Sequence, residues 1–185
     1  MGDVIRLSRE HVALAVVDMQ EAFRTVISDF AEVAMRIGIA VQGARLLEVP
    51  ILVTEQYPKG LKRTAMEVNR HLPAETKIIE KLCFSSCGAD DFLPRLQSHG
   101  VRQVLVCGVE AHICVAQTVL DLLAANYEVF LLVDCITSRS PQSKEVAISR
   151  LTAAGAVQSN VEMALFEMMR GADSPQFKAI QNLVR

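Results

Sequence analysis

Six apolar runs of strand length punctuate the chain: VALAVV at 12–17, VPILVT at 49–54, KIIE at 77–80, QVLVCGV at 103–109, EVFLLV at 128–133 and the weaker AVQS at 156–159. Apolarity is continuous along them instead of alternating, as required of strands covered on both faces. Between the runs, apolar positions recur at helical spacing over roughly 27–48, 63–71, 89–99, 114–126, 142–154 and 160–170. Strand and helix thus alternate. With right-handed crossovers the alternation predicts an α/β fold, a three-layer α/β/α sandwich on a mostly parallel, six-stranded, doubly wound sheet. Nothing in composition divides residues 1–185, which read as a single domain. Gly100, Gly155 and Asn126 each stand between a helix and the next strand, where a helix-terminating residue belongs. After Gly171, ADSPQFKAIQNLVR reads as a turn and a short helix that docks on the body or on another subunit.

Composition narrows the function classes. With 185 residues, 51% of them hydrophobic, the chain can enclose a full core. A formal net charge of −2 supplies no basic footprint for phosphates, so the expected partner is a small-molecule substrate and not nucleic acid. The first apolar run has six residues between charged flanks, too short for a signal-peptide core or a membrane span. Arg6 occupies the position where a myristoylation signal needs serine or threonine. No membrane contact and a cytoplasmic location are expected. Five cysteines, an odd number, suit reduced thiols better than a disulfide framework.

Ligands of open parallel sheets bind outside the carboxyl ends of the strands. Those ends carry Asp18, then Thr54, Glu55 and Gln56, then Lys81, the loop from Gly108 to Ile113, and Asp134. Cys114 falls in the first turn of the helix expected to run to about Asn126, where unpaired N–H groups and the helix dipole favour a thiolate. An acid beside it can take the thiol proton and return it to a leaving group, while the N–H groups face an oxyanion. Buried cysteines often only pack, and Cys107 and Cys135 are read that way. Cys83 and Cys87 lack a second pair or a nearby histidine, and His11, His71, His99 and His112 are scattered, so neither a metal nor another cofactor is expected. Lys81, among apolar residues, needs a carboxylate partner, and Asp18 is the candidate. In the order 3-2-1-4-5-6 those two strands lie two spacings apart, ~10 Å, so the lysine must reach across strand two.

Three separate motifs, AVVDMQEAF with Asp18, IIEKLCFS with Lys81 and CGVEAHICVAQT with Cys114, resemble the isochorismatase-like cysteine hydrolases, a superfamily that includes nicotinamidases and N-carbamoylsarcosine amidase. VTEQYPKGL, the serines after Phe84 and EMALFEMM extend the resemblance to the subgroup of isochorismatase domain-containing protein 2. The resemblance implies Asp18 as general base, Lys81 as stabiliser of the ionised groups and Cys114 as nucleophile, with a thioester intermediate in the hydrolysis of a small amide or related C–N bond. It also implies a non-proline cis peptide at Val109–Glu110, an oxyanion hole from the backbone N–H groups of Glu110 and Cys114, and a homo-oligomer. The apolar VEMALFEMM helix offers a surface for the last of these.

Some members of that subgroup carry a ribonuclease label, which the missing basic stripe disfavours. TEQYPKGLKRT has no histidine where nicotinamidases place their metal site, which makes that activity a minor alternative. A non-catalytic ligand-binding or scaffold protein is the main competitor. A nucleotide-binding Rossmann fold lacks its G-x-G-x-x-G. Phe23 and Phe84 are expected to wall the pocket; Glu55, Gln56 and Tyr57 face it or lie in a solvated loop, and Glu110 and His112 face it or a subunit interface, with a satisfied buried histidine as the other reading of His112.

Overall fold

The computed structural model describes residues 5–185, which leaves the Gly2 of the myristoylation reading outside the described residues. Six strands form one sheet: β1 (Val12–Val17), β2 (Ile51–Gln56), β3 (Ile79–Lys81), β4 (Gln103–Val109), β5 (Glu128–Thr137) and β6 (Val157–Ser159). Their order is β3-β2-β1-β4-β5-β6 and every pairing is parallel, giving the doubly wound arrangement expected from the alternation. The helices are α1 (Phe30–Leu46), the short α2 (Pro58–Leu61) and α3 (Met66–Asn69), α4 (Phe92–Ser98), α5 (Ala116–Ala124), α6 (Pro141–Ala153), α7 (Val161–Met169) and α8 (Phe177–Val184).

The unbroken apolarity of the strands is explained by two cores. Val12, Leu14 and Val16 of β1 enter one cluster with α1, α7 and α8, and Ala13, Ala15 and Val17 enter the other with α4, α5 and α6. Burial of each Val, Leu or Phe contributes about 1.5–3 kcal/mol, and both faces of β1 collect it. Gly108 of β4 has φ 122°, and a Cβ there would lie 1.9 Å from the carbonyl oxygen of Val17. Glycine therefore lets β1 and β4 close together at the residue before Asp18.

Several boundaries differ from the expected ones. Instead of one helix over 63–71, α2 and α3 flank a loop, because the N–H and hydroxyl of Thr64 are both bonded to Glu55, which delays helix entry to Met66. At the sheet edge β3 pairs only through Ile79–Lys81. Strand β5 runs on to Thr137, so Asp134 lies inside it rather than at its end and accepts the Val161 N–H at the start of α7, at 3.2 Å. The tail docks on the body: Ile180 of α8 is fully buried and Phe177 meets Phe166 of α7 edge to face at 6.2 Å. Val161, Ala164, Leu165, Met168 and Met169 of α7 are buried within the chain, so that helix is not the open surface its composition suggests.

Candidate active site

The carboxyl edge of the sheet brings Asp18, Lys81 and Cys114 together. Asp18 leaves β1 with φ 49°, a left-handed conformation that Asp tolerates better than most residues, and its carboxylate is completely buried. Gln20 holds this turn in place. Its side chain donates to the carbonyls of Gln56 (3.0 Å) and Lys62 (2.7 Å) and accepts from the Gln56 N–H (2.8 Å). The end of β1 is thereby tied to the end of β2.

Lys81 reaches across from β3 and donates to Asp18 Oδ2 at 2.6 Å, in a pair whose two side chains are 0% and 1% exposed. Gln56 Oε1 (2.9 Å) and the carbonyls of Cys83 (3.1 Å) and Phe84 (2.8 Å) complete an all-oxygen surround for its ammonium. Gln56 is oriented in turn by its own donation to the Leu82 carbonyl at 2.7 Å. A buried cation so completely held offsets its desolvation with charge-assisted hydrogen bonds.

Cys114 lies in a one-turn π-helical segment, Ala111–Val115, that leads into α5, so the helical stretch begins three residues before the expected start. The segment follows a cis peptide at Val109–Glu110. Ile113 and Val115 donate their N–H groups to the Glu110 carbonyl. The thiol, in a residue 7% exposed, lies near enough to Asp18 to feel its charge. Here the expectation of a favoured thiolate is corrected: burial first, and then the Asp18 charge, push the thiol up to about 12 against the smaller opposing effect of Lys81. Burial also raises Asp18, opposed first by Lys81 and then by the hydrogen bond from Thr54. The sulfur is thus held as a thiol beside the carboxyl group that is paired with Lys81. One cation balances one anion in the cluster; moving the proton from sulfur to Asp18 preserves that balance, whereas losing it to solvent leaves a buried excess charge.

The other expected pocket residues separate into groups. Gln56 belongs to the cluster through Lys81. Glu55 does not: its buried carboxylate accepts from Thr64 and Arg63, so it braces the loop behind β2 rather than lining the site. Tyr57 (51% exposed) and Phe84 (54% exposed) are open to solvent, and Phe23 packs against the core as a partly buried residue. His112 is exposed, with Nδ1 3.0 Å from Ser138 Oγ. The Glu110 carboxylate turns to the Arg139 N–H and Nε, both at 3.0 Å. Among the described residues no three His, Cys, Asp or Glu side chains gather as a metal-binding cluster. A cleft of about 870 Å³ opens at the opposite sheet edge, by Arg45, Pro50, Lys77 and His99, without a cysteine or a buried carboxylate in its lining.

Thr54, placed on the carboxyl edge by its position after the second run, meets the cluster through its hydroxyl, and two further hydroxyls, Ser86 and Thr118, escape a motif-based reading. Thr54 Oγ1 donates to Asp18 Oδ1 at 2.7 Å and lies 3.3 Å from Ser86 Oγ, while the Ser86 N–H donates to Thr118 Oγ1 at 2.8 Å. The signal that separates Thr54 from its neighbour is the period of two along β2, which sets Thr54 and Gln56 on one face and Glu55 on the other.

Comparison with known proteins places this geometry in context. The isochorismatase domain model matches residues 12–163, which span all three members of the cluster. Isochorismatase domain-containing protein 2 of Bos taurus is 41% identical over 93% of this chain and 82% of its own length. Isochorismatase domain-containing protein 1 of Salmo salar is 36% identical over 91% of this chain, which spans only 59% of that longer protein. Among solved structures, MAR1 ribonuclease of Caenorhabditis elegans superposes with a TM-score of 0.93 at 36% identity, over 97% of this chain and 92% of that one.

Proposed function

The chain belongs to the isochorismatase family, and we propose that it is a metal-independent cysteine hydrolase of a small amide or related C–N substrate. Family membership supports hydrolase-type chemistry; the observation that carries the finer reading is one buried carboxylate, Asp18, bonded to the Lys81 ammonium and with its charge acting on the nearby Cys114 thiol. In the proposed cycle Asp18 takes the thiol proton as Sγ attacks the carbonyl carbon. The N–H groups of Glu110 and Cys114 receive the oxyanion. Asp18 then protonates the leaving nitrogen, the C–N bond breaks, and ammonia or an amine departs from the thioester. Water attacks next, giving one proton to Asp18 and releasing the acid, and the proton returns to sulfur. Lys81 stays bonded to Asp18 throughout and keeps the cluster's charge constant. Five free thiols accord with a reducing, cytoplasmic setting.

The test is ammonia or amine release from a panel of small primary amides and carbamoyl compounds, with an RNA arm prompted by the name of the C. elegans relative. We expect release by the wild type on at least one member and loss of at least ~10³-fold in Cys114→Ala, since removing the nucleophile of a concerted site removes most of its catalysis. Unchanged turnover in Cys114→Ala would assign the chemistry elsewhere. RNA cleavage that survives Cys114→Ala would favour the ribonuclease reading. Saturable binding of panel members without turnover would favour the ligand-binding alternative.

A further inference from the structure

Asp18 is held by a different donor at each oxygen. Lys81 donates to Oδ2, and Thr54 Oγ1 donates to Oδ1. Thr54 owns a single hydroxyl proton, and its bond to Asp18 uses it. The 3.3 Å contact between Thr54 and Ser86 must then be donated by Ser86, which makes a directed chain from Ser86 through Thr54 to Asp18. Ser86 is fixed in turn by its N–H bond to Thr118. All three hydroxyl residues are buried, at 1%, 0% and 0% exposure.

A hydroxyl donates and accepts, so such a chain can run either way, whereas an ammonium only donates. Resting on the reading of Cys114 as nucleophile, we propose that Thr54 and Ser86 are positioning residues that form a reversible hydroxyl chain, making Oδ1 the oxygen of Asp18 that holds the thiol proton. On transfer the S–H bond breaks and an O–H bond forms at Oδ1. The new acid donates to Thr54, and Thr54 turns its own proton to Ser86. The two links of the chain survive with their polarity reversed, and no further reactant is needed. A proton on Oδ2 would instead confront the Lys81 N–H and lose that bond.

The experiment follows carboxamidomethylation of Cys114 by iodoacetamide, read by peptide mass across the acid and neutral range, in the wild type, Thr54→Val, Thr54→Ser and Ser86→Ala. The charged groups facing the chain's target are Lys81 from β3 and Cys114 from the π-helical turn, with Glu110 beyond the thiol. None of them is altered. Thr54→Val removes a donor to the ionised carboxylate, so Asp18 holds its proton more tightly and the acid limb of the profile moves up by about one pH unit. Thr54→Ser keeps the donor and leaves the limb in place. Ser86→Ala keeps the Thr54 donor but removes the acceptor of the reversed chain, and lowers the neutral plateau. A Thr54→Val limb coincident with that of the wild type, or a Thr54→Ser limb shifted equally, overturns the proposal. Should Thr54→Val fail to fold, a Ser86→Ala profile identical to wild type overturns the chain by itself. Slow labelling of Cys114 in the wild type would overturn both this inference and the nucleophile reading beneath it, whereas a normal wild-type profile with unresponsive variants would overturn this inference alone.

Discussion

Lys81 is surrounded by four oxygens, and only one of them, Asp18 Oδ2, carries the charge that balances its own. Lys81→Met therefore leaves a buried carboxylate without its cation, a loss of about 3–5 kcal/mol in unfolding free energy at neutral pH. The folded Asp18 already holds its proton more tightly than an ordinary aspartate, and without Lys81 it holds it more tightly still. For an acid whose folded pKa is raised, the penalty is complete above that pKa and fades as pH falls toward the unfolded value. Urea unfolding should therefore show the variant's deficit at pH 7 shrinking in mild acid. A deficit that is constant with pH would mean that packing, not charge, is what Lys81 supplies. Asp18, Lys81 and Cys114 were legible from sequence because each follows an apolar strand in a recognisable motif. The raised thiol was not, since the dipole at a helix start is visible in a sequence and the depth of burial that outweighs it is not. Glu55 was misread for a similar reason: a strand-end acid looks the same in sequence whether it meets a pocket or, as here, the N–H and hydroxyl of Thr64.

At the scale of elements, the strand order and the two-sided core followed from the continuous apolar runs, and the long helices appeared where the spacing placed them. The second crossover was less legible, because its shape depends on bonds between loops rather than on periodicity. Gln20 grips the Gln56 and Lys62 carbonyls, and Glu55 grips Thr64, so the chain from Tyr57 to Asn69 is folded by side chains distant in sequence. The docking of α8 likewise depended on contacts that no local pattern reports. Gly108 is the element-scale device nearest the site. Gly108→Ala would drive a methyl group into the Val17 carbonyl at a backbone angle that L side chains rarely adopt. We expect a loss of about 3 kcal/mol or more, seen as a lower unfolding midpoint in urea, because the clash is with backbone that cannot rotate away. A midpoint within error of wild type would mean that β1 and β4 can part without cost.

For the whole molecule, the expected order of thiol reactivity runs against ordinary thiol chemistry. Cys83 is exposed, whereas Cys114 is buried and its thiol is pushed up to about 12, so solvent access favours Cys83 and burial holds Cys114 back. Only a neighbouring base that accepts the proton within a charge-balanced cluster can reverse that order. Among the described residues no helix is long and apolar enough to cross a membrane. The decisive measurement is the rate at which each of the five thiols is modified by substoichiometric iodoacetamide at neutral pH, followed by peptide mass in the wild type and in Asp18→Asn, with Cys83 as the internal reference. The account predicts that Cys114 reacts first in the wild type and falls behind Cys83 in Asp18→Asn, while the Cys83 rate is the same in both. Cys83 reacting first in both proteins, with an unchanged and slow Cys114, would contradict it.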